Sequence, residues 1–190
     1  VACGGNQYAL HAEFNWVPTN LCVPVPQGVS PEHAAFTTVG AIAMQGYRQS
    51  EARLGETACV IGLGLIGQLL LQILRAAGVR VIGIDVDPGR CELATRLGAV
   101  AAGAPDSPSL QTLMARVSEM TQGAGCDHIF LAAGGESNQP VELAAQLVRD
   151  RGRVVDIGKC SLDLPWKEYY EKELDVRFSR SYGPGRYDTN

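Results

Sequence analysis

The stretch from Thr57 to Asp85 leaves this chain very few architectures to fold into. A short β-branched run, Cys59 to Ile61, leads into Gly62, Gly64 and Gly67, spaced G-x-G-x-x-G, and an apolar helix over 65–77 follows. A second β-branched run, Val79 to Ile84, then ends on Asp85. Each part has a mechanical role in holding a dinucleotide. Gly62 lets the strand turn sharply, Gly64 leaves room for backbone to approach a pyrophosphate, and Gly67 lets the helix pack closely on the strand. Leu63, Leu65 and Ile66 complete the turn, and the helix N-terminus offers its free N–H groups to the anion. Asp85 stands where a carboxylate accepts hydrogen bonds from ribose hydroxyls and repels a 2′-phosphate. The glycine triplet alone is a weak signal, but in strand–turn–helix–strand–acid order it is a strong one. It predicts a nicotinamide-dinucleotide site of NAD rather than NADP type.

Composition narrows the setting. Apolar residues make up 46% and charged residues 19% of 190 positions, with a formal charge of −4, as in soluble globular proteins. Acids and bases are interspersed without a basic stripe, which excludes nucleic acid and anionic membrane as expected partners. The longest apolar stretch, Ala58 to Leu74, is interrupted by three glycines and Gln68, and the dinucleotide motif accounts for it. The opening Val-Ala-Cys-Gly-Gly lacks a basic segment and an apolar signal core and reads as the middle of a longer protein. Six cysteines, at 3, 22, 59, 91, 126 and 160, include no C-x-x-C pair. They read as free thiols of a reducing, cytoplasmic protein, with no zinc site.

From Thr57 onward strands and helices alternate. Expected strands are 57–62, 80–85, 99–103, 127–133, 153–158 and 175–181, and expected helices 65–77, 88–97, 107–121, 138–150 and 165–173. Short strands apolar on both faces and separated by helices predict an α/β fold, a doubly wound parallel six-stranded sheet in the order 3-2-1-4-5-6. Gly78, Gly98 and Gly152 read as helix-closing glycines. Residues 1–28 fall outside that alternation: Tyr8 to Phe14 and Val17-Pro18 read as short strands of irregular β structure. A helical segment, Pro31 to about Ser50 within a 29–56 connector, bridges them to the dinucleotide domain at 57–190.

The succession His-Ala-Glu-Phe, Val-Pro-Gln-Gly-Val-Ser, Gly-Glu-Thr-Ala-Cys-Val-Ile-Gly-Leu-Gly-Leu-Ile-Gly and Arg-Leu-Gly-Ala resembles the medium-chain dehydrogenase/reductase superfamily, the zinc-type alcohol dehydrogenases. The likeness runs over essentially the whole chain, and covers the later half of a typical member. It implies a Rossmann coenzyme domain preceded by the remnant of a GroES-like catalytic domain, with catalytic groups outside this chain and no activity from the chain alone. It places the third zinc-ligand position at Thr38, a poor ligand beside thiolate or imidazole, and the nicotinamide-touching threonine at Ile42. Arg90 matches a basic residue that reaches the adenosine ribose. Ala132, Ala133, Gly134, Ile157 and Gly158 match the crevice wall, and Ser179 and Ser181 match backbone groups that hold the carboxamide. The ending Ser-Tyr-Gly-Pro-Gly-Arg-Tyr-Asp resembles a subgroup fused to a sugar-type oxidoreductase domain. The family also implies a homodimer through the 175–181 edge strand, acting on an alcohol or carbonyl.

Other candidate residues have plainer readings. His11 and His33 read as surface residues, His128 as structural, and Tyr169 and Tyr170 as packing residues. Lys159, just past the fifth expected strand, is placed to reach a substrate. No Cys-His, Ser-His or paired-carboxylate arrangement assembles from local spacing. Competing functions are a zinc-free quinone or enone reductase, which Thr38 favours and Asp85 opposes, a methyltransferase, and a non-catalytic nucleotide-binding domain. The G-x-G-x-x-G spacing argues against the methyltransferase.

Overall fold

The structure, a computed structural model, describes residues 1–186. Tyr187 and Asp188, the end of the Ser-Tyr-Gly-Pro-Gly-Arg-Tyr-Asp motif, lie outside the described residues. Two strands of two residues each, β1 (Ala2–Cys3) and β2 (Cys22–Val23), pair antiparallel. Helices α1 (Pro31–Ala34) and α2 (Thr37–Ser50) lead from them to the main sheet. That sheet contains β3 (Thr57–Ile61), β4 (Arg80–Ile84), β5 (Ala101–Gly103), β6 (Cys126–Leu131), β7 (Val148–Asp156) and β8 (Asp175–Phe178). All its pairings are parallel, in the spatial order β5-β4-β3-β6-β7-β8. Between strands run α3 (Leu65–Ala76), α4 (Pro88–Arg96), α5 (Ser107–Thr121), α6 (Gln139–Leu147) and α7 (Trp166–Glu171).

The strands are buried on both faces because successive side chains serve different cores. Cys59, Ile61, Ile82, Ile129 and Leu131 face one core, closed by Leu113 and Val117 of α5, Val141 and Ala144 of α6 and Tyr169 of α7. Ala58, Val60, Val81, Phe130 and Val155 face the other, closed by Ala43 of α2, Ala94 of α4, and Leu70, Leu71 and Leu74 of α3. Helix starts follow local chemistry. Asp87 accepts from Gly89 N at 2.8 Å, Asp106 accepts from Ser109 N at 3.2 Å, and a proline stands in the first turn of each of these helices. Gly78 and Gly98 follow helix ends at φ +79° and +101°, the left-handed region expected of closing glycines.

Four local expectations need correction. Tyr8–Phe14 forms turns and bends and Val17-Pro18 is irregular, because among the described residues no strand lies beside them; Asn15 organises the segment, its Oδ1 accepting from Leu10 N at 2.8 Å. The connector is two helices, stepping at Ala35 and Phe36, where the Thr37 hydroxyl bonds Ala34 O at 2.7 Å. The helix expected to reach residue 150 ends at Leu147, because Val148 joins β7 and pairs with Cys126; Lys172 Nζ caps the junction by donating to Ala145 O and Val148 O. Gly152 therefore closes no helix. It lies in β7 beside an irregular register, where a Cβ would stand 2.5 Å from Val148 Cγ2. No helix among the described residues is long and apolar enough to cross a membrane.

Candidate coenzyme site

The chain reverses its direction of winding between β3 and β6, and a crevice opens at the carboxyl ends of these strands. It encloses about 400 Å³, in the usual range for a small-molecule site. Gly62, Gly64, Asp85, Arg90, Ala132, Ala133 and Gly134 all line it, six of them from three separate strand ends and Arg90 from α4.

The glycines act by distinct contacts. Gly62 has φ +97°, and a Cβ there would meet Ala133 N at 2.4 Å, so β3 turns away tightly under β6. Gly67 is packed so closely that a Cβ would lie 1.9 Å from Gly62 O. Gly64 caps α3 and lines the crevice, and a Cβ there would have no neighbour within 4 Å. The first intrahelical bond is Gln68 N to Gly64 O at 2.9 Å, which leaves the Leu65, Ile66 and Gly67 amides for an anion. This cradle fits the pyrophosphate of a dinucleotide. Leu63 contributes differently: its side chain is fully buried, and its N–H donates to Asp85 Oδ2 at 2.7 Å.

Asp85 is only 7% exposed, and its second oxygen accepts from Asp87 N at 2.9 Å. The carboxylate therefore fixes the glycine turn and the start of the next loop, with lone pairs left over on both oxygens. Arg90, about half exposed, comes to 3.6 Å of Asp85 Oδ2 and of an Asp87 oxygen. Gln68 Nε2 donates to Arg90 O at 2.9 Å and holds that backbone against α3.

Other expected positions fall outside the crevice lining. Ile157 packs toward Gly46, and Gly158 lies so close to β6 that a Cβ would stand 1.9 Å from Ala133 O. Ser179 is buried with its Oγ unpartnered, while Ser181 lies beyond β8 at φ +54°. Lys159 is exposed and forms an isolated bridge with Gly134. His11 and His33 are exposed. His128 is buried at the opposite end of β6, 2.8 Å from Glu56 Oε2. Tyr169 OH donates to Val141 O at 3.1 Å, and Tyr170 stacks edge-on against Trp166. Sequence reasoning missed Val86, Pro105, Ser137, Gln139 and Pro140, which also line the crevice. Pro105 follows the end of β5, so the rule that ligands gather at carboxyl strand ends is the signal that finds it.

A sequence profile described as zinc-binding dehydrogenase matches residues 66–190. D-xylulose reductase A of Aspergillus oryzae is 29% identical over 180 residues, 93% of this chain and 50% of the reductase. An alcohol dehydrogenase of Escherichia coli CFT073, solved with NADH, superposes with TM-score 0.76 at 25% identity, covering 89% of this chain and 50% of its own. A Sinorhizobium meliloti 1021 protein solved with NADP gives TM-score 0.74 at 24% identity, covering 91% and 52%, a likeness of fold. The chain thus spans about half the length of the curated relatives it matches. The profile's description implies zinc. Among the described residues no three His, Cys, Asp or Glu side chains cluster, and the Thr38 hydroxyl donates to Cys3 O at 3.1 Å. These residues do not fit a zinc ion.

Proposed function

The chain belongs to the zinc-binding dehydrogenase family, and from that premise we propose that it is the NAD-binding half of an oxidoreductase acting on an alcohol or carbonyl. The observation that carries the coenzyme choice is Asp85, a buried carboxylate on the crevice wall with Arg90 as its cationic neighbour. A like charge brought to about 5 Å from it is repelled by about 3 kcal/mol at an effective dielectric of about 20. Arg90 is already paired with two carboxylates and offsets only part of that. Ribose hydroxyls, in contrast, donate to the lone pairs that Leu63 N and Asp87 N leave free.

When bound, the nicotinamide supplies the hydride donor or acceptor. The chain's own residues bind and orient it: the α3 amides hold the phosphates, and Ala132, Ala133 and Gly134 wall the crevice without polar side chains. Titration should find NADH bound at least about tenfold more tightly than NADPH, and Asp85→Ser should narrow that gap by removing about 1.5–3 kcal/mol of charged hydrogen bonding. Equal or tighter NADPH binding by the unaltered chain overturns the assignment. A zinc-free quinone or enone reductase is the second reading, favoured by the engagement of Thr38 with Cys3 O.

A homodimer through β8 is part of the same proposal. Among the described residues this strand lies at the sheet edge, paired only with β7. Ser179 N–H donates inward to Asp156 O at 2.8 Å, so by alternation the Phe178 N–H points outward, and Phe178 itself is exposed. Two copies joined antiparallel along this edge would form one continuous sheet about a two-fold axis. Phe178→Pro deletes only that outward donor and should leave a folded monomer. A wild-type chain that sediments as a monomer at micromolar concentration refutes the dimer.

A further inference from the structure

We propose that Cys3 and Cys22 are a modification site, a thiol pair that closes to a reversible cross-strand disulfide on exposure to a peroxide. The two residues face each other in the β1–β2 register. Gly4 N–H donates to Leu21 O at 3.0 Å, one of the two bonds that flank an antiparallel position without hydrogen bonds of its own. Cys3 and Cys22 occupy that position, where opposed Cα atoms lie about 4.5 Å apart, inside the range of about 4.4–6.8 Å that disulfides span. Opposed side chains stand on the same face of a sheet, and both cysteines line one pocket with Thr38, Ala41 and Tyr182.

Access separates this pair from the other thiols. Cys3 is exposed and Cys22 half-buried, so a dissolved oxidant can reach them. Cys59 and Cys126 are fully buried, which pushes their thiols upward and keeps them protonated and inert. Cys91 is buried with its Sγ–H directed at Asp85 O, and that of Cys160 is directed at Ala133 O at 3.1 Å.

The step balances with hydrogen peroxide as the oxidant. One thiolate attacks a peroxide oxygen, breaks the O–O bond and releases hydroxide, leaving a sulfenic acid. The second thiolate attacks that sulfur and expels a second hydroxide. Protonated by the two thiol protons, the hydroxides leave as two waters, and a dithiol reverses the bond. The closed loop would contain residues 4–21, including the exposed Phe14 and Trp16. Its base is anchored on α2, since the Thr38 hydroxyl bonds Cys3 O. Oxidation would therefore tie a segment of turns and bends to the helix that leads to the coenzyme domain.

The test is peptide mapping of the 190-residue chain, treated with hydrogen peroxide and quenched with iodoacetamide without reduction. One cross-linked peptide joining Cys3 to Cys22, lighter by two hydrogens and reopened by dithiothreitol, is the expected result. Proteolysis within residues 4–21 should also slow by about tenfold, because the cross-link restricts local opening. Cys3→Ser and Cys22→Ser should each leave the remaining thiol alkylated. Full alkylation of both wild-type thiols after peroxide, or bonds joining either one to another cysteine or another chain, overturns the proposal.

Discussion

Gly67→Ala should destabilise this protein strongly, whereas Gly64→Ala should leave it folded with a weakened hold on a dinucleotide. At Gly67 the new methyl would be placed 1.9 Å from Gly62 O and 2.9 Å from Gly62 C. Both are backbone atoms of a turn already fixed at φ +97°, with Ala133 N against its other side. No rotamer relieves such a clash, so α3 must lift from β3 and carry Leu70, Leu71 and Leu74 partly out of the core. The loss should be about 3 kcal/mol or more, read as a lower denaturation midpoint. Gly64 has φ −68°, and a methyl added there would have no neighbour within 4 Å, so alanine costs only the weaker helix cap, about 1 kcal/mol. That methyl is added on the crevice lining beside the free α3 amides, where backbone must come close to a pyrophosphate, and NADH affinity should fall at least about tenfold. Wild-type stability in Gly67→Ala disproves the packing argument; wild-type NADH affinity in Gly64→Ala removes the phosphate from the α3 N-terminus.

These two glycines also mark what the sequence made legible. The strand, turn, helix and acid from Thr57 to Asp85 are set by neighbours in the chain, and the roles proposed for them rest on spacing. The sequence did not reveal that Asp85 holds Leu63 N and Asp87 N, because that depends on how tightly the turn folds back. Nor did it reveal Ser137, Gln139 and Pro140 in the crevice, since the segment entering α6 reaches it only once β6 lies beside β3. Errors came where local pattern had no tertiary partner or the wrong one. Tyr8 to Phe14 alternates like a strand but has no strand among the described residues to pair with, while Val148 continues a helical pattern until pairing with Cys126 draws it into β7. The Cys3–Cys22 pairing, nineteen positions apart, was equally invisible to spacing.

Asp156 provides the sharpest test of burial against charge. It ends β7 at 9% exposure, its Oδ1 has no hydrogen-bond partner, and burial pushes its carboxyl up to about 6 from an ordinary 3.8. The nearby Cys160 thiol is raised by its own burial and by this carboxylate, so the cysteine offers no compensating charge. A carboxyl raised on folding binds its proton more tightly in the native state. The contribution of Asp156 to stability should therefore fall as pH rises from about 4 to about 6, by up to about 3 kcal/mol for the shift of about two units, and level off above. Asp156→Asn keeps the shape and removes the charge. It should be more stable than wild type by about 1–3 kcal/mol at pH 7.5, with the advantage vanishing below about pH 4. The backbone bond from Ser179 N to Asp156 O does not involve the side chain and should survive, so β8 stays attached. Paired denaturant titrations at pH 4 and 7.5 decide the matter. An asparagine variant less stable than wild type at pH 7.5 would mean that the carboxylate is stabilised in the folded protein, and the argument from burial would fail.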